Sequence, residues 1–219
     1  SGSTSWGGLY SFVTGLIEQG GSRRGALMLI TNVWHPDVLD FIDAKREAGR
    51  ITNANISVGV TDAFMEAVDT DADWPLVFPD PQHPSYGEWD GDLDKWKAQG
   101  RPVIVHKIVK AREVWDRIIK SAWTSAEPGV FFIDRANKSS NSHYFSRLIC
   151  TNPCGEQPLP QWGICNLGAI NLGRFATSGG EVNWEDLRRT VRYAVRFLDN
   201  VIDATPWTGN SVAAICVAS

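Results

Sequence analysis

The stretch "TNPCGEQPLPQWGICNLGAINL", residues 151–172, sets a cysteine, Cys154, between a proline and a glycine. Gly and Pro recur throughout it, which excludes a helix and predicts a loop. Asn152 precedes the cysteine by two residues and Glu156 follows it by two, while Cys165 comes eleven residues later. If the segment is extended, alternation places Asn152, Cys154 and Glu156 on one side. The spacing predicts a loop that presents an amide, a thiol and a carboxylate to one small polar substrate.

Three different roles for these cysteines fit the residues less well. A buried cysteine that serves as a small hydrophobe is at odds with its polar neighbours. A zinc site would draw on Cys150, Cys154 and Cys165, but their spacing is not that of a usual knuckle. The nearest histidine, His143, lies seven residues before Cys150, so a thiol nucleophile would lack a nearby base. No metal site is therefore expected.

Composition limits the class of protein. The 219 residues are 43% apolar and 21% charged, which suits a globular chain with a sizeable core. The net charge is −4 and there is no Lys/Arg cluster, so no nucleic-acid partner is expected. The sequence contains no apolar run of membrane-spanning length and no signal peptide. Four cysteines do not make a disulfide scaffold, and a reducing, cytoplasmic location is expected. The absence of an initial Met suggests a partial chain.

Apolar periodicity predicts the main elements. Helices are expected at residues 9–19, 35–49, 61–69, 111–126 and 183–204, with N-caps at Thr61 or Asp62 and at Asn183. Strands are expected at residues 26–32, 55–60, 102–109 and 129–134. Residues 69–101, rich in Asp, Pro and Gly, are expected to be a long surface excursion with one short helix at 91–99 and solvated aspartates. The alternation of strands and helices predicts an α/β architecture with mainly parallel pairing.

The residues of the cysteine segment resemble a known family. "NPCGEQPL" followed by "CNLGAINL" is similar to the finger loop of ribonucleotide reductases, and the "PCGE" form resembles class II, the adenosylcobalamin-dependent enzymes. Further segments agree in order: "GGSRRGALM", "WHPDVLDFIDAK", "NISVGVTDAFMEAV", "PGVFFIDRAN" and "NWEDLRRTVRYAVRFLDNVID". The resemblance implies part of the ten-stranded α/β barrel of ribonucleotide reductases, with a finger loop that carries the catalytic cysteine. Residues 1–205 would be a partial catalytic barrel domain, and 206–219 a tail of uncertain origin.

The resemblance also implies roles for four residues. Cys154 would form the thiyl radical that takes hydrogen from C3′ of the ribose. Glu156 would act as base on the 3′-hydroxyl, and Asn152 would hydrogen-bond the ribose hydroxyls. Cys165 would be one of two thiols that reduce the substrate and end as a disulfide. The implied activity is reduction of ribonucleotides to 2′-deoxyribonucleotides for DNA synthesis.

The implied cofactor is adenosylcobalamin. The implied partners are a ribonucleotide substrate, deoxynucleotide or ATP effectors, a thioredoxin-like or dithiol reductant, and a second copy in a homodimer. Two alternatives remain open. One is a class I-type large subunit that receives its radical from a partner protein. The other is an inactive nucleotide-binding fragment, because the family's second reducing cysteine and its phosphate-holding segment have no match in this chain.

A second motif is "QGGSRRG", residues 19–25. One interpretation is a solvated turn, although a Gly-rich turn with two arginines can also meet phosphate or a base edge. In the family, the matching loop links the effector site to the substrate base. The expected effector and substrate-base loop consists of Gln19, Gly20, Gly21, Ser22, Arg23 and Arg24. Gln19 and Arg24 are the candidates for reading the base.

Overall fold

The computed structural model describes residues 2–19, 23–46, 50–206 and 212–217. Its α-helices are α1 (Ser3–Leu16), α2 (Val38–Asp43), α3 (Asp62–Asp69), α4 (Leu93–Ala98), α5 (Ala111–Ser125), α6 (Ile133–Ser139) and α7 (Trp184–Ala204). Its strands are β1 (Glu18–Gln19), β2 (Arg23–Arg24), β3 (Met28–Asn32), β4 (Asn55–Val60), β5 (Asp73–Pro79), β6 (Val103–Lys110), β7 (Gly129–Phe132), β8 (Leu148–Thr151), β9 (Pro158–Pro160), β10 (Gly163–Gly168) and β11 (Val212–Val217).

The core forms around a parallel sheet in the order β3-β4-β7. The central strand β4 is buried at every position from Ile56 to Val60, as expected for a parallel strand covered on both faces. Helices α2, α3 and α5 pack together over this sheet. The apolar side chains they bury there are Val38, Phe41, Ile42, Phe64, Val68, Val114 and Ile118. These contacts fix the sheet whose strand ends face the candidate site.

The two predicted N-caps are confirmed. The Thr61 hydroxyl oxygen accepts a hydrogen bond from the Phe64 N–H at 3.1 Å at the start of α3. The Asn183 side-chain oxygen accepts from the Asp186 N–H at 3.1 Å at the start of α7. Each bond satisfies one of the amide donors that a helix leaves unpaired in its first turn.

The first two helices differ from their predicted bounds. Helix α1 begins at Ser3, six residues before the predicted start, and passes through Gly7. A Cβ at Gly7 would lie 3.1 Å from Leu29 Cδ1, so glycine allows α1 to approach β3 closely. Helix α2 is shorter than predicted and ends at Asp43. Residues 47–49, the end of that prediction, lie outside the described residues.

The prediction of a long surface excursion over residues 69–101 is wrong. Strand β5 lies in this segment and pairs antiparallel with β6. Trp96 on α4 is only 2% exposed, and its indole N–H donates to the Pro102 carbonyl at 2.8 Å. The Trp74 indole donates to the Val33 carbonyl at 3.2 Å, which ties β5 to the end of β3. Buried tryptophans order this segment. The short helix predicted at 91–99 is confirmed as α4.

The α/β class is confirmed, but parallel pairing is not the rule throughout. Strands β10 and β11 pair in parallel, whereas β1–β2, β5–β6 and β8–β9 are antiparallel. The described strands form five small sheets and do not close a barrel. The strand predicted at 129–134 ends at Phe132, where α6 begins. No helix within the described ranges is long and apolar enough to cross a membrane.

Two tryptophans provide a test of the packing of residues 73–110. Trp96→Ala should lower the free energy of unfolding by about 3–5 kcal/mol, because it leaves a large cavity. Trp123, which is 88% exposed, is the matched control, and Trp123→Ala should change stability by less than about 0.5 kcal/mol. The urea midpoint of the full-length polypeptide that carries this sequence measures both effects. Equal midpoints for the two variants would contradict the burial of α4.

Candidate active site

The predicted finger loop is the tip of a β-hairpin. Strands β8 and β9 pair antiparallel, with Thr151 opposite Pro158. Beyond this pair, the Asn152 N–H donates to the Gln157 carbonyl at 3.1 Å. We call residues 148–160 the finger hairpin and residues 152–157 its tip. The tip is turned rather than extended, so the expectation of side-chain alternation along a strand is wrong here.

The tip contains a tight turn over residues 152–155. The Gly155 N–H donates to the Asn152 carbonyl at 3.0 Å. Asn at the first position, Pro at the second and Gly at the fourth are the residues that a type I turn favours. Cys154, at the third position, has a negative φ, which excludes type II, the alternative that favours Pro at the second position. The sequence "NPCG" therefore places the cysteine at the outer end of the hairpin, where it is exposed.

Gly155 carries the chain out of this turn. Its φ is +85°, in the left-handed region that side chains with a Cβ rarely adopt. No atom lies within 4 Å of the position that a Cβ would take, so the demand for glycine comes from the backbone alone. Cys154 itself is exposed, so another molecule can reach its thiol.

Asn152 connects the remaining groups of the tip. Its side-chain oxygen accepts from the Gln157 N–H at 3.0 Å, and its amide nitrogen donates to Glu156 Oε1. One side chain thus closes the loop and holds the carboxylate next to it. The turn brings Asn152, Cys154 and Glu156 to one tip. Glu156 Oε2 makes no hydrogen bond within the described part of the chain, so it is open to a substrate.

The remaining two cysteines of the segment occupy different environments. Cys150 lies on β8, where its thiol donates to the Leu159 carbonyl at 3.6 Å. Burial raises the pKa of the Cys150 thiol, so this group stays protonated and unreactive at neutral pH. Cys165 lies half-buried on β10, opposite Ala214 of β11. Cys150 and Cys154 are free thiols.

The second predicted site lies at the end of α1. Gln19 is in β1, which pairs antiparallel with Arg23 and Arg24 of β2. The predicted residues Gly20, Gly21 and Ser22 lie outside the described residues. The Gly25 N–H donates to the Ile17 carbonyl at 2.8 Å, so the hairpin turns back onto the helix end. Arg24 is exposed, and no hydrogen bond or ion pair in the described ranges links it to the finger hairpin.

A cavity of about 740 Å³ was not predicted from the sequence. It opens at the carboxyl ends of the three parallel strands, which is where ligands bind in many α/β folds. The lining residues at these strand ends are Asn32, Thr61 and Ile133. The lining also includes Asp90–Asp94 and Arg147, and Arg147 lies at the base of the finger hairpin. In the sequence, Thr61 directly follows a predicted strand, but no local pattern pairs it with residues 90–94 or with Arg147.

Asp92 is the clearest of these missed residues. Burial alone would raise the pKa of its carboxyl, but hydrogen bonds from Arg147 and from the Lys95 N–H outweigh that effect and hold the pKa below its usual value. The carboxylate is therefore charged at neutral pH. The expectation of a solvated aspartate is wrong for Asp92. Within the described residues, no group of three or more His, Cys, Asp or Glu side chains could hold a metal ion.

Comparison with known proteins adds independent information. The family model "Ribonucleotide reductase, barrel domain" matches residues 1–214. The chain is 41% identical over 205 residues to the vitamin B12-dependent ribonucleoside-diphosphate reductase of Thermoplasma acidophilum, covering 93% of this chain and 24% of that protein. Identity to the enzyme of the same name from Mycobacterium tuberculosis is 39% over 206 residues, covering 94% of this chain and 27% of that protein. Identity to the ribonucleoside-diphosphate reductase large subunit of Variola virus is 29% over 205 residues, covering 89% of this chain and 26% of that protein. The chain spans about a quarter of the length of these relatives.

Substitutions at Gly155 test the turn. Gly155→Ala should cost about 1–2 kcal/mol in the folded tip, because a Cβ disfavours the left-handed region. Gly155→Asn should cost less, since Asn enters this region more readily, and Gly155→Val should cost more. Amide hydrogen exchange at Gln157 reports the change in the full-length polypeptide. Exchange is expected to be slowest in Gly155→Asn, faster in Gly155→Ala and fastest in Gly155→Val.

Gly87 supplies the control for this series. It also has open space around its Cβ position, but its φ is not in the left-handed region. Gly87→Ala should leave exchange at the finger hairpin unchanged. If the four variants gave the same exchange rate at Gln157, the turn described for the tip would be wrong.

Proposed function

The chain belongs to the ribonucleotide reductase barrel-domain family, and on that premise we propose that it carries out thiyl-radical reduction of ribonucleotides to 2′-deoxyribonucleotides. The observation that carries the proposal is the tip of the finger hairpin. There, an exposed thiol at Cys154 is followed by a carboxylate at Glu156 that Asn152 holds by a hydrogen bond. A substrate that offers a C–H bond and neighbouring hydroxyls meets complementary groups at this tip, and a ribose offers both.

Each group at the tip has one chemical task. The Cys154 thiyl forms an S–H bond as the C3′–H bond of the ribose breaks, which leaves a carbon radical at C3′. The Glu156 carboxylate accepts the proton of the 3′-hydroxyl. Asn152 keeps that carboxylate in place and offers its amide to the ribose hydroxyls.

The remaining steps consume two electrons. The 2′-hydroxyl leaves as water after it gains a proton, and two thiols give up two electrons as they join in a disulfide. Cys165 is one of these thiols in the proposal, and the second is not assigned within this chain. Cys154 then returns its hydrogen atom to C3′, which restores the thiyl for the next cycle. An external dithiol or thioredoxin-like protein reduces the disulfide.

The proposed cofactor is adenosylcobalamin. The exposed thiol of Cys154 and the open space beside Gly155 fit a radical source that approaches from outside the hairpin. When bound, the cofactor would supply the radical that removes the hydrogen atom from this thiol. We assign no described residue to hold the corrin ring.

A large subunit that takes its radical from a partner protein is the second candidate. Two observations favour the cobalamin type. The tip carries the "PCGE" form, and identity is 41% and 39% to two relatives named vitamin B12-dependent but 29% to a relative named large subunit. The proposal further includes deoxynucleotide or ATP effectors at the loop of residues 19–24, a homodimer, and a cytoplasmic location that keeps the thiols reduced. The division of the chain at residue 205 into a partial catalytic barrel domain and a tail also remains a prediction.

Serine substitutions separate the three cysteines in the full-length polypeptide that carries this sequence. Cys154→Ser should abolish all chemistry on the substrate, because an O–H bond is far stronger than S–H. Cys165→Ser should permit hydrogen abstraction but stop disulfide-linked reduction, so the substrate decomposes instead of forming product. Substrate breakdown and deoxynucleotide yield are measured separately.

Cys150→Ser is the matched control for this series. Cys150 lies in the same hairpin, and serine retains a donor for the Leu159 carbonyl, so activity should stay near that of the unsubstituted protein. If Cys165→Ser sustained many turnovers with a dithiol reductant, Cys165 would not be the reducing thiol. Deoxynucleotide formation by Cys154→Ser would disprove the assignment of the radical position.

Arg24→Ala tests the proposed effector loop. If Arg24 helps to read the substrate base, the substitution should weaken the discrimination among bases set by each effector more than it lowers maximal rate. Discrimination is measured as the ratio of kcat/KM for two competing ribonucleotides at saturating effector. Arg112→Ala, at an exposed arginine on α5, is the control and should leave the ratio unchanged. An unaltered ratio in Arg24→Ala would return the loop to the interpretation of a solvated turn.

A further inference from the structure

The finger hairpin is fastened at its base, far from the thiol, by Asn137 on α6. The Asn137 side-chain oxygen accepts from the Leu148 N–H at 2.9 Å, and its amide nitrogen donates to the Leu148 carbonyl at 2.9 Å. The same amide donates its other hydrogen to the Ile133 carbonyl at 2.9 Å. One side chain thus fixes both main-chain groups of the first residue of β8. The bond to Ile133 holds the Asn137 side chain against its own helix, and the other two bonds hold Leu148.

A second attachment comes from the residue just before β8. The Arg147 guanidinium donates to Asp92 Oδ2 and lies 3.8 Å from Asp94 Oδ2. The side chains of Arg147 and Asp92 are 39% and 22% exposed, so this ion pair is partly shielded from water. The hydrogen bond to Asp92 raises the pKa of Arg147. Both partners therefore stay charged across the physiological range.

Asp92 links this attachment to the rest of the fold. Its other oxygen, Oδ1, accepts from the Lys95 N–H at 3.0 Å and caps α4. Helix α4 is anchored in turn by the buried Trp96. The Val77 N–H donates to the Trp34 carbonyl at 2.8 Å, which connects this unit to the chain beyond β3. The base of the finger hairpin is thereby joined to the core through side chains distant in sequence.

We propose that Asn137, Arg147 and Asp92 form a clamp at the base of the finger hairpin that sets the position of the Cys154 thiol, with Asn137 and Arg147 as positioning residues for hydrogen transfer. This inference rests on the proposed function. It adds three residues that do not touch the reacting atoms and act through the hairpin between them and the thiol.

The length of the finger hairpin explains why contacts at its base control the position of the thiol at its tip. An extended strand advances about 3.3 Å per residue, so the thiol lies on the order of 20 Å from Arg147. A tilt of about 5° at the base of an arm of that length moves its end by about 2 Å. Misplacement of a reacting group by about 1 Å can lower a rate by about 100-fold. A small loss of order at the clamp is therefore amplified at Cys154.

The test uses two conservative variants of the full-length polypeptide. Asp92→Asn keeps the cap on α4, because Asn is also a good N-cap, but it removes the charge that holds Arg147. Arg147→Lys keeps the charge but loses the planar fork. Each should lower kcat by about 10- to 100-fold with KM changed by less than about twofold, because the groups proposed to contact the ribose, Asn152, Cys154 and Glu156, are unchanged. Amide exchange at Gln157 should rise by about tenfold in each variant.

The double variant and a matched control make the result specific. Asp92→Asn with Arg147→Lys should be no worse than the worse single variant, because both act on one contact. Lys110→Gln removes the Lys110–Asp73 ion pair at the far end of the β5–β6 hairpin and should change neither kcat nor exchange. Asn137→Asp tests the attachment at Leu148, since it keeps the shape of the side chain but loses the donor to the Leu148 carbonyl. It should lower kcat and speed exchange at Gln157, as the other two variants do.

The outcomes separate the clamp from the proposed function. Native kcat and native exchange at Gln157 in both conservative variants would overturn the clamp. A fall in kcat without faster exchange would also overturn it, since the effect would then not pass through the hairpin. If the unsubstituted polypeptide made no deoxynucleotide, the proposed function would fail. The exchange measurement would still show whether these residues hold the finger hairpin.

Discussion

The hydrogen bond from the Gly155 N–H to the Asn152 carbonyl is the contact on which the candidate site depends. It closes the turn that places Cys154 at the outer end of the finger hairpin. The Asn152 side chain adds bonds to the Gln157 N–H and to Glu156, so one residue organises the whole tip. Each such bond contributes only about 0.5–1.5 kcal/mol to stability. The tip is therefore ordered by several converging bonds, each weak by itself.

A tip held by weak local bonds needs a firm base. That base is built from parts of the chain that are far apart in sequence: α6 supplies Asn137, and the loop before α4 supplies Asp92. Helix α6 contacts β4 of the core. The loop before α4 lies between β5 and β6, and β5 is joined to the chain beyond β3 by the bond from the Val77 N–H to the Trp34 carbonyl. The antiparallel pair of β5 and β6 thus has a structural role next to the candidate site.

The sequence predicted those features that depend on neighbouring residues. Strand β4, helices α3 and α5, and the caps at Thr61 and Asn183 follow from local periodicity and capping chemistry. The turn signature of Asn152, Pro153 and Gly155 is also present in the sequence. This signature describes the tip, and the alternation expected for an extended strand does not. Asn152 and Glu156 are in contact because the turn brings them together, not because side chains alternate along a strand.

Features that depend on distant contacts were not accessible from the sequence. Asp, Pro and Gly dominate residues 69–101, a composition typical of a surface excursion, whereas the structure buries Trp96 against Trp89 and His83. The cavity at the strand ends and the contact of Asp92 with Arg147 join segments 55 residues apart. Local patterns contain no information about such pairs.

Competition between a ribonucleotide deuterated at C3′ and the unlabelled compound is the most direct test of the central claim that Cys154 takes hydrogen from C3′. The full-length polypeptide that carries this sequence is supplied with adenosylcobalamin and a dithiol, and the isotope content of the residual substrate is followed as it is consumed. Deuterium is expected to accumulate in the residual substrate, because the C3′–H bond breaks in the step that commits it to reduction. Deoxynucleotide formation without such enrichment would contradict hydrogen abstraction by Cys154.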